Sequence, residues 1–257
     1  MKSFIVVIPA RFASTRLPGK PLLDLGGKPM VVLVAETARA SGAARVVVAT
    51  DDARIEDACR SHGVESLSTR KDHATGTDRI AEVAVRLDLA PNQIVVNVQG
   101  DEPFLPPSAI DRVARLLEDD SKAAMATLCH PLSDGRDVTN PHVVKVVLDG
   151  NGRALYFSRA PIPYARDAWS AGMGSEMPLP PGLPIFRHVG LYAYRAHFLR
   201  AFPLLEHPQI ERFEALEQLR ALWHGYPIAV GVIEAPLPPG IDTAEDYAAA
   251  LRRLAGR

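Results

Sequence analysis

The sequence predicts an α/β protein with a mostly parallel sheet covered by helices on both faces. Three observations carry this. Apolar runs at 4–8, 45–49 and 94–98 are nearly continuous, broken only by Arg45 and Asn97, rather than alternating, as in strands buried on both faces. The segments between them place apolar residues at helical spacing. Strand and helix then alternate along the first half of the chain, the pattern of β-α-β units.

The run 4–8 is expected to end at Pro9, which brings no N–H to a ladder. Met30, Leu33, Val34 and Ala38 predict a helix over 28–41, stopped by Gly42. The β-branched run 45–49 is a second buried strand. Asp52 is a good N-cap for a helix reaching about residue 62, which Gly63 ends. A short strand is expected at 64–67. Ile80, Val83, Ala84 and Leu87 share one face of a helix over 77–88. The strand 94–98 is followed by a helix at 108–117 and an extended segment at 123–128.

After residue 128 the pattern changes. Strands at 143–148 and 153–158 are joined by Asp149-Gly150-Asn151-Gly152, a hairpin signal. Residues 161–184 carry Pro161, Pro163, Pro178, Pro180, Pro181 and Pro184 and read as a long excursion, mobile in its middle. A strand at 189–194, one amphipathic helix at 211–223, a strand at 228–232 and a closing helix at 243–254 complete the chain. The middle portion thus reads as a smaller α+β insertion in a nucleotide-binding core.

Composition narrows the function. The chain has 257 residues, 47% hydrophobic and 23% charged, with a formal net charge of -1. That balance gives no polyanion-binding character and argues against nucleic acid, while allowing a local basic pocket for a small anion. Cys59 and Cys129 lie far apart, without metal-ligand or disulfide spacing, and suit a reducing cytoplasm. No apolar segment approaches a membrane span, and the N-terminus lacks a signal-peptide pattern.

The chemistry is concentrated in the loop after the first strand, Ile8-Pro-Ala-Arg-Phe-Ala-Ser-Thr-Arg-Leu-Pro-Gly-Lys20. Arg11, Arg16 and Lys20 alternate there with Pro and Gly, just past a strand end where open α/β sheets bind ligands. Arg grips phosphate oxygens with a bidentate fork and Lys acts as a point charge, so the loop reads as a triphosphate clamp, with a solvated basic loop as the equal alternative. It is not a Walker A loop, since Pro21 follows Gly19-Lys20, and no G-x-G-x-x-G opens the first helix.

Asp101, after the strand 94–98, is a hard oxygen ligand suited to Mg²⁺, and a second carboxylate is expected to converge on it. Asp242 is that candidate, although its position also suits a helix N-cap. Asp51 stands between a nucleotide contact and a cap, with the cap slightly favoured. Thr75-Gly76-Thr77-Asp78-Arg79 reads equally as a base-reading turn or a plain helix start. Arg159, His188, Glu217 and Gln218 are candidates for holding a polyhydroxylated acid, Arg159 on its carboxylate and Glu217 and Gln218 on hydroxyls. The aromatics Tyr156, Phe157, Trp169, Tyr192 and Trp223 are read as core or interface residues. No Ser-His-Asp arrangement and no H-E-x-x-H occur.

Together with the first loop, five further segments carry a resemblance: Val96-Asn-Val-Gln-Gly-Asp-Glu-Pro103, Val144-Lys-Val-Val-Leu148, Ala154-Leu-Tyr-Phe-Ser-Arg-Ala160, His188-Val-Gly-Leu-Tyr192 and Leu216-Glu-Gln-Leu-Arg220. On these the chain resembles the bacterial 3-deoxy-manno-octulosonate (KDO) cytidylyltransferases of lipopolysaccharide biosynthesis. The resemblance implies a Rossmann-like nucleotidyltransferase core at 1–128 and 225–257, with a sugar-binding, dimerising subdomain at 129–224. It implies a cytoplasmic, homodimeric, Mg²⁺-dependent enzyme that turns CTP and the sugar acid into CMP-KDO and pyrophosphate. By matching position it puts Arg11, Arg16 and Lys20 on the CTP phosphates. Ala10, Thr75, Gln99 and Gly100 would contact the nucleotide, with Thr77 and Arg79 near it. Asp101 and Asp242 would hold Mg²⁺, and Arg159, His188, Glu217 and Gln218 would line the sugar pocket. Relatives have Ser and Glu at the positions of Thr75 and Asp78, and 172–184 looks like a Pro/Gly-rich expansion that bears on the lid or dimer surface. Two alternatives stand beside this one: a cytidylyltransferase for another sugar acid such as sialic acid, and a non-catalytic nucleotide-binding regulator.

Overall fold

The computed structural model describes residues 3–13, 17–170 and 172–255. Its elements run β1 (Phe4–Ala10), α1 (Met30–Arg39), β2 (Arg45–Thr50), α2 (Ala53–Ser61), β3 (Ser66–Ser68), α3 (Gly76–Arg86), β4 (Ile94–Asn97), α4 (Pro107–Asp119), β5 (Met125–Pro131), α5 (Arg136–Thr139), β6 (Lys145–Leu148), β7 (Ala154–Ser158), β8 (Phe186–Arg195), α6 (Ala196–Ala201), α7 (Gln209–Glu214), α8 (Gln218–Trp223), β9 (Ile228–Val232) and α9 (Ala244–Ala255).

The main sheet has the order β3-β2-β1-β4-β8-β5-β9. The pairs β1–β2, β1–β4, β2–β3 and β5–β9 are parallel. Only β8 is reversed on this path, antiparallel to both β4 and β5. The expected α/β class therefore holds. The expected edge between core and insertion at 128/129 runs through β5, and β8, expected in the insertion, lies inside the core sheet.

Successive side chains of a strand point to opposite faces, so β1 feeds two cores. Phe4, Val6 and Ile8 pack with residues of α1, α2 and α4. Ile5 and Val7 pack on the other face with residues of α3, α6 and α8. Burial on both sides explains why these strands read as nearly unbroken apolar runs.

Four expectations need correction. Pro9 does not end β1: pairing with β2 continues through Pro9↔Ala49 and Ala10↔Thr50, while pairing with β4 stops at Val7↔Asn97. The missing N–H matters on one neighbour only. The Pro-rich excursion, expected to be mobile in its middle, is packed on both sides of it, with Trp169 and Met177 in a small core with Ile185, Leu132, Val138 and Val143. Trp169 is 1% exposed, and its indole donates to Pro178 O at 2.8 Å. The single helix expected at 211–223 is two, α7 and α8, broken at Ala215, whose φ is 50°. Finally, Asp51 is not a cap. Asp52 caps α2 by accepting from Arg54 N, while Asp51 pairs with Arg79 at 2.8 Å.

Candidate active site

The site sits at the C-terminal ends of β1 and β4, where two loops and the entry to α9 meet. After β1 the chain turns back through a 3₁₀ turn at Lys20–Leu22, entered from Gly19. Gly19 has φ +67°, which disfavours a side chain, and a Cβ there would lie 3.3 Å from the Phe12 ring. The ring also packs on the core below it, and the Arg54 guanidinium lies 3.3 Å from its centroid. Phe12 thus clasps the two ends of the basic loop to α2.

After β4, Gln99-Gly100-Asp101 passes directly beneath the β1 loop. A Cβ on Gly100 would meet Pro9 O at 3.0 Å, so a side chain there would push the two main chains a few tenths of an ångström apart. The third segment is fixed from the far end of the chain. Ile241 packs with Leu25, Met30 and Ala250, and its N–H donates to Asp101 O at 2.9 Å. Helix α9 is capped by Thr243, whose hydroxyl accepts from Asp246 N at 3.2 Å. This settles the N-cap alternative for Asp242: the cap is its neighbour.

The Asp242 carboxylate instead turns to Lys20. Lys20 Nζ donates to Asp101 Oδ2 at 2.6 Å and to Asp242 Oδ1 at 3.0 Å. Burial opposes the charge on Lys20, but the two carboxylates outweigh it and hold the ammonium above its ordinary pKa. Residues 222 positions apart meet here, and two hard carboxylates converge on one point. That donor set fits a divalent cation whose remaining ligands are phosphate oxygens and water. Among the described residues, no cluster of three or more His, Cys, Asp or Glu side chains provides a complete protein cage.

One cavity opens beside Lys20 and Asp101, and a second adjoins it. The first, about 370 Å³, is lined by Ala10, Arg11, Lys20, Gln99, Gly100 and Asp101. The second, about 260 Å³, is lined by Thr77, Asn97, Gln99, Tyr192, Glu217 and Gln218, with Tyr194 and Leu216. Gly76 and Gln99 belong to both. In the second cavity Thr77 Oγ1 donates to Glu217 Oε2 at 2.8 Å. Burial raises the Glu217 carboxyl above the usual range. Gln218, which lines this cavity, has a buried Nε2 donor with no protein acceptor, leaving it to be satisfied by a ligand or water.

Not every expected residue reaches these cavities. Arg79 is fully buried and uses its guanidinium on Thr69 Oγ1 and Asp51, so it anchors α3 to β2 instead of facing a nucleotide. The Thr75 hydroxyl accepts from Asp78 N in a reciprocal capping box, which is the plain helix start. Arg159 donates to Glu214 O at 2.6 Å and to Pro141 O at 2.7 Å, and so holds the α7–α8 break instead of lining the cavity. His188 lies behind Tyr192, within 3.0 Å of Thr127 Oγ1, and burial pushes its pKa down to about 3. Arg11 lines the first cavity while donating to His73 O at 2.7 Å. Arg16 lies outside the described residues.

Other residues were missed. Asn97 lines the second cavity, and a lone amide in the apolar run 94–98 is a signal that could have been read. Tyr192 and Tyr194 were expected in the core, or not singled out, yet both line that cavity. Glu214 accepts from Ser158 Oγ at 2.5 Å and Arg159 N at 2.8 Å; nothing in its sequence context distinguishes it from a surface glutamate.

Comparison with known proteins bears on this geometry. A family model described as cytidylyltransferase matches residues 5–229. The chain belongs to the cytidylyltransferase family. Within that family it is 57% identical over 247 residues to a 3-deoxy-manno-octulosonate cytidylyltransferase of Marinobacter nauticus, covering 96% of this chain and 95% of that one. It is 57% identical over 253 residues to the protein of the same name from Pseudomonas fluorescens, covering 98% of each. Among solved structures it is similar to a CMP:2-keto-3-deoxy-manno-octonic acid synthetase complexed with CTP, with a TM-score of 0.88, 40% identity and 99% of each chain covered.

Proposed function

We propose that the protein transfers a cytidylyl group from CTP to 3-deoxy-manno-octulosonate, giving CMP-KDO and pyrophosphate, as the names of its relatives suggest for them. The observation that carries this reading is the junction of Lys20 with Asp101 and Asp242, the first two of which line a cavity that shares Gly76 and Gln99 with a second one. In this reading the first cavity takes the nucleotide, with Arg11 and Lys20 on its phosphates. The second takes the sugar acid, with Glu217, Gln218 and Thr77 on its hydroxyls. Gln99, common to both, stands where the two substrates meet.

The anomeric hydroxyl attacks the α-phosphorus in line. A new O–P bond forms, the bond to the bridging oxygen of the β-phosphate breaks, pyrophosphate leaves with that bond's electron pair, and the hydroxyl proton passes to solvent water. Asp101 and Asp242 would hold Mg²⁺, which supplies charge neutralisation on the phosphates when bound. The chain itself supplies positioning and fixed positive charge, so no protein nucleophile is required.

The deciding experiment is pyrophosphate release from each of the four triphosphates, with KDO or a sialic acid as acceptor and with or without Mg²⁺. Release with CTP and KDO alone is expected. CTP binding without release would favour a regulator, and preference for sialic acid would favour the related transferase. Two substitutions probe the two cavities separately. Phe12→Ala removes a cation–π contact worth about 0.5–1 kcal/mol and is expected to raise the KM for CTP roughly two- to fivefold with little change in that for the acid. Thr77→Val removes a hydrogen bond to a carboxylate, worth about 1.5 kcal/mol or more, and is expected to raise the KM for the acid about tenfold. Steady-state kinetics with each substrate varied in turn checks both.

No helix among the described residues is long and apolar enough to cross a membrane. The reading includes a cytoplasmic homodimer, supported by Phe213 and Trp223, which are 86% and 62% exposed and are side chains that interfaces favour. Sedimentation equilibrium tests the dimer.

A further inference from the structure

We infer that Lys20 is an exchangeable counter-ion: its ammonium and a divalent cation compete for the same oxygens of Asp101 and Asp242, and metal binding releases Lys20 toward the phosphates. This rests on the reading above that the two carboxylates hold a metal.

The geometry gives the reason. Nζ lies 2.6 Å from Asp101 Oδ2 and 3.0 Å from Asp242 Oδ1, bridging the two acids. A Mg²⁺ ion binds carboxylate oxygens at about 2.0–2.1 Å in near-octahedral geometry. An ion bridging these oxygens would take the position of the ammonium, and two cations cannot share it. One partner has to yield, and the anchoring of each side chain identifies it.

The acids are tied down close to their carboxylates. Asp101 O accepts from Ile241 N at 2.9 Å, and Asp242 N donates to Asp246 Oδ2 at 3.1 Å in the turn that starts α9. Ile241 between them is 2% exposed. Lys20 is also tied at its main chain, by Lys20 N to Leu17 O at 3.2 Å and Leu23 N to Lys20 O at 3.1 Å, but its charge lies much farther from that anchor than the carboxylates lie from theirs. Beyond its Cα lies a flexible four-carbon stem ending in a point charge with rotatable donors. Its head can swing into the first cavity, which it already lines, without moving the backbone. An Arg fork in its place would be harder to dislodge from a carboxylate pair. The ammonium therefore keeps two acids from repelling each other until a stronger cation arrives, and it is then delivered to the phosphate subsite.

The test uses the full chain without nucleotide and Mn²⁺ as probe, followed by electron paramagnetic resonance. Lys20→Met is expected to bind Mn²⁺ at least about tenfold more tightly than the unsubstituted protein, because a competitor held by two charge-assisted hydrogen bonds is gone. Equal or weaker binding would overturn the exchange. A second measurement needs no variant: acetylation of Lys20 in the unsubstituted protein, read by mass spectrometry, is expected to rise severalfold when Mg²⁺ alone is added. An unchanged rate at a saturating metal concentration would also overturn it. Pyrophosphate release assayed in parallel separates the two levels of inference. Mg²⁺-dependent turnover with both tests negative removes the exchange alone. Neither Mn²⁺ binding nor turnover removes the metal reading beneath it as well.

Discussion

Replacing Asp101 with Asn is expected to leave the fold intact and to lower turnover by about a hundredfold or more, the scale of loss when one strong electrostatic contact to a transition state is removed. The fold should survive because the Asp101 main chain, not its side chain, anchors the loop: its carbonyl accepts from Ile241 N at 2.9 Å. The carboxylate oxygen that meets Lys20 at 2.6 Å becomes an amide group, which carries no charge and is a poor ligand for Mg²⁺. The loss is therefore expected in kcat, with the KM for the sugar acid little changed, since the second cavity is built by other residues. Near-normal turnover, with a circular dichroism melt matching the parent, would remove Asp101 from the reaction.

Glu211→Ala is expected to be the most damaging change to stability near the site, at about 3–5 kcal/mol, because it leaves the Arg220 guanidinium buried without its partner. Glu211 and Arg220 are 6% and 1% exposed, and Nε and Nη2 of Arg220 bond the two carboxylate oxygens at 2.8 and 2.5 Å. The guanidinium also lies over the Phe202 ring, 4.3 Å from its centroid. This fork joins α7 to α8 across the break that presents Leu216, Glu217 and Gln218 to the second cavity. A lower urea midpoint should accompany a raised KM for the acid. Replacing the pair together with Met and Leu is expected to recover much of the stability, since well-packed apolar residues often match a buried ion pair. If the single variant melts with the parent, the pair is not structural.

The fold was legible wherever local pattern and tertiary burial agree. β1, β2 and β4 are buried on both faces, so their apolar runs needed no knowledge of their neighbours. Asp52 and Gly63 act at the ends of α2 through interactions with residues close in the chain. The break at Ala215 was hidden because neither Gly nor Pro marks it; Arg159, from 55 residues upstream, holds it through Glu214 O. The core around Trp169 was hidden by the prolines that surround it in the sequence.

The site divides along the same line. A basic loop at a strand end can be recognised from charge and position, and Asp101 from its place after β4. The same cues misled at Arg79 and Arg159. A sequence shows a cation but not the buried acid or carbonyls that already engage it, and Asp51, Glu214 O and Pro141 O do so here. Asp242 could be ranked as a ligand or a cap, but only the packing of Ile241 under α1 and α9 determines which.

The reversed strand β8 has a consequence for how the chain is made. β4 and β5 are complete by residue 131, yet the strand that lies between them spans 186–195. During synthesis both would present unpaired edges until some 60 further residues had left the ribosome, on a domain rich in non-local pairing. Fragments ending before Phe186 should therefore aggregate, whereas those ending just after Arg195 should stay in solution longer. Expression of the intact protein should respond to chaperone supply more than its final stability would suggest.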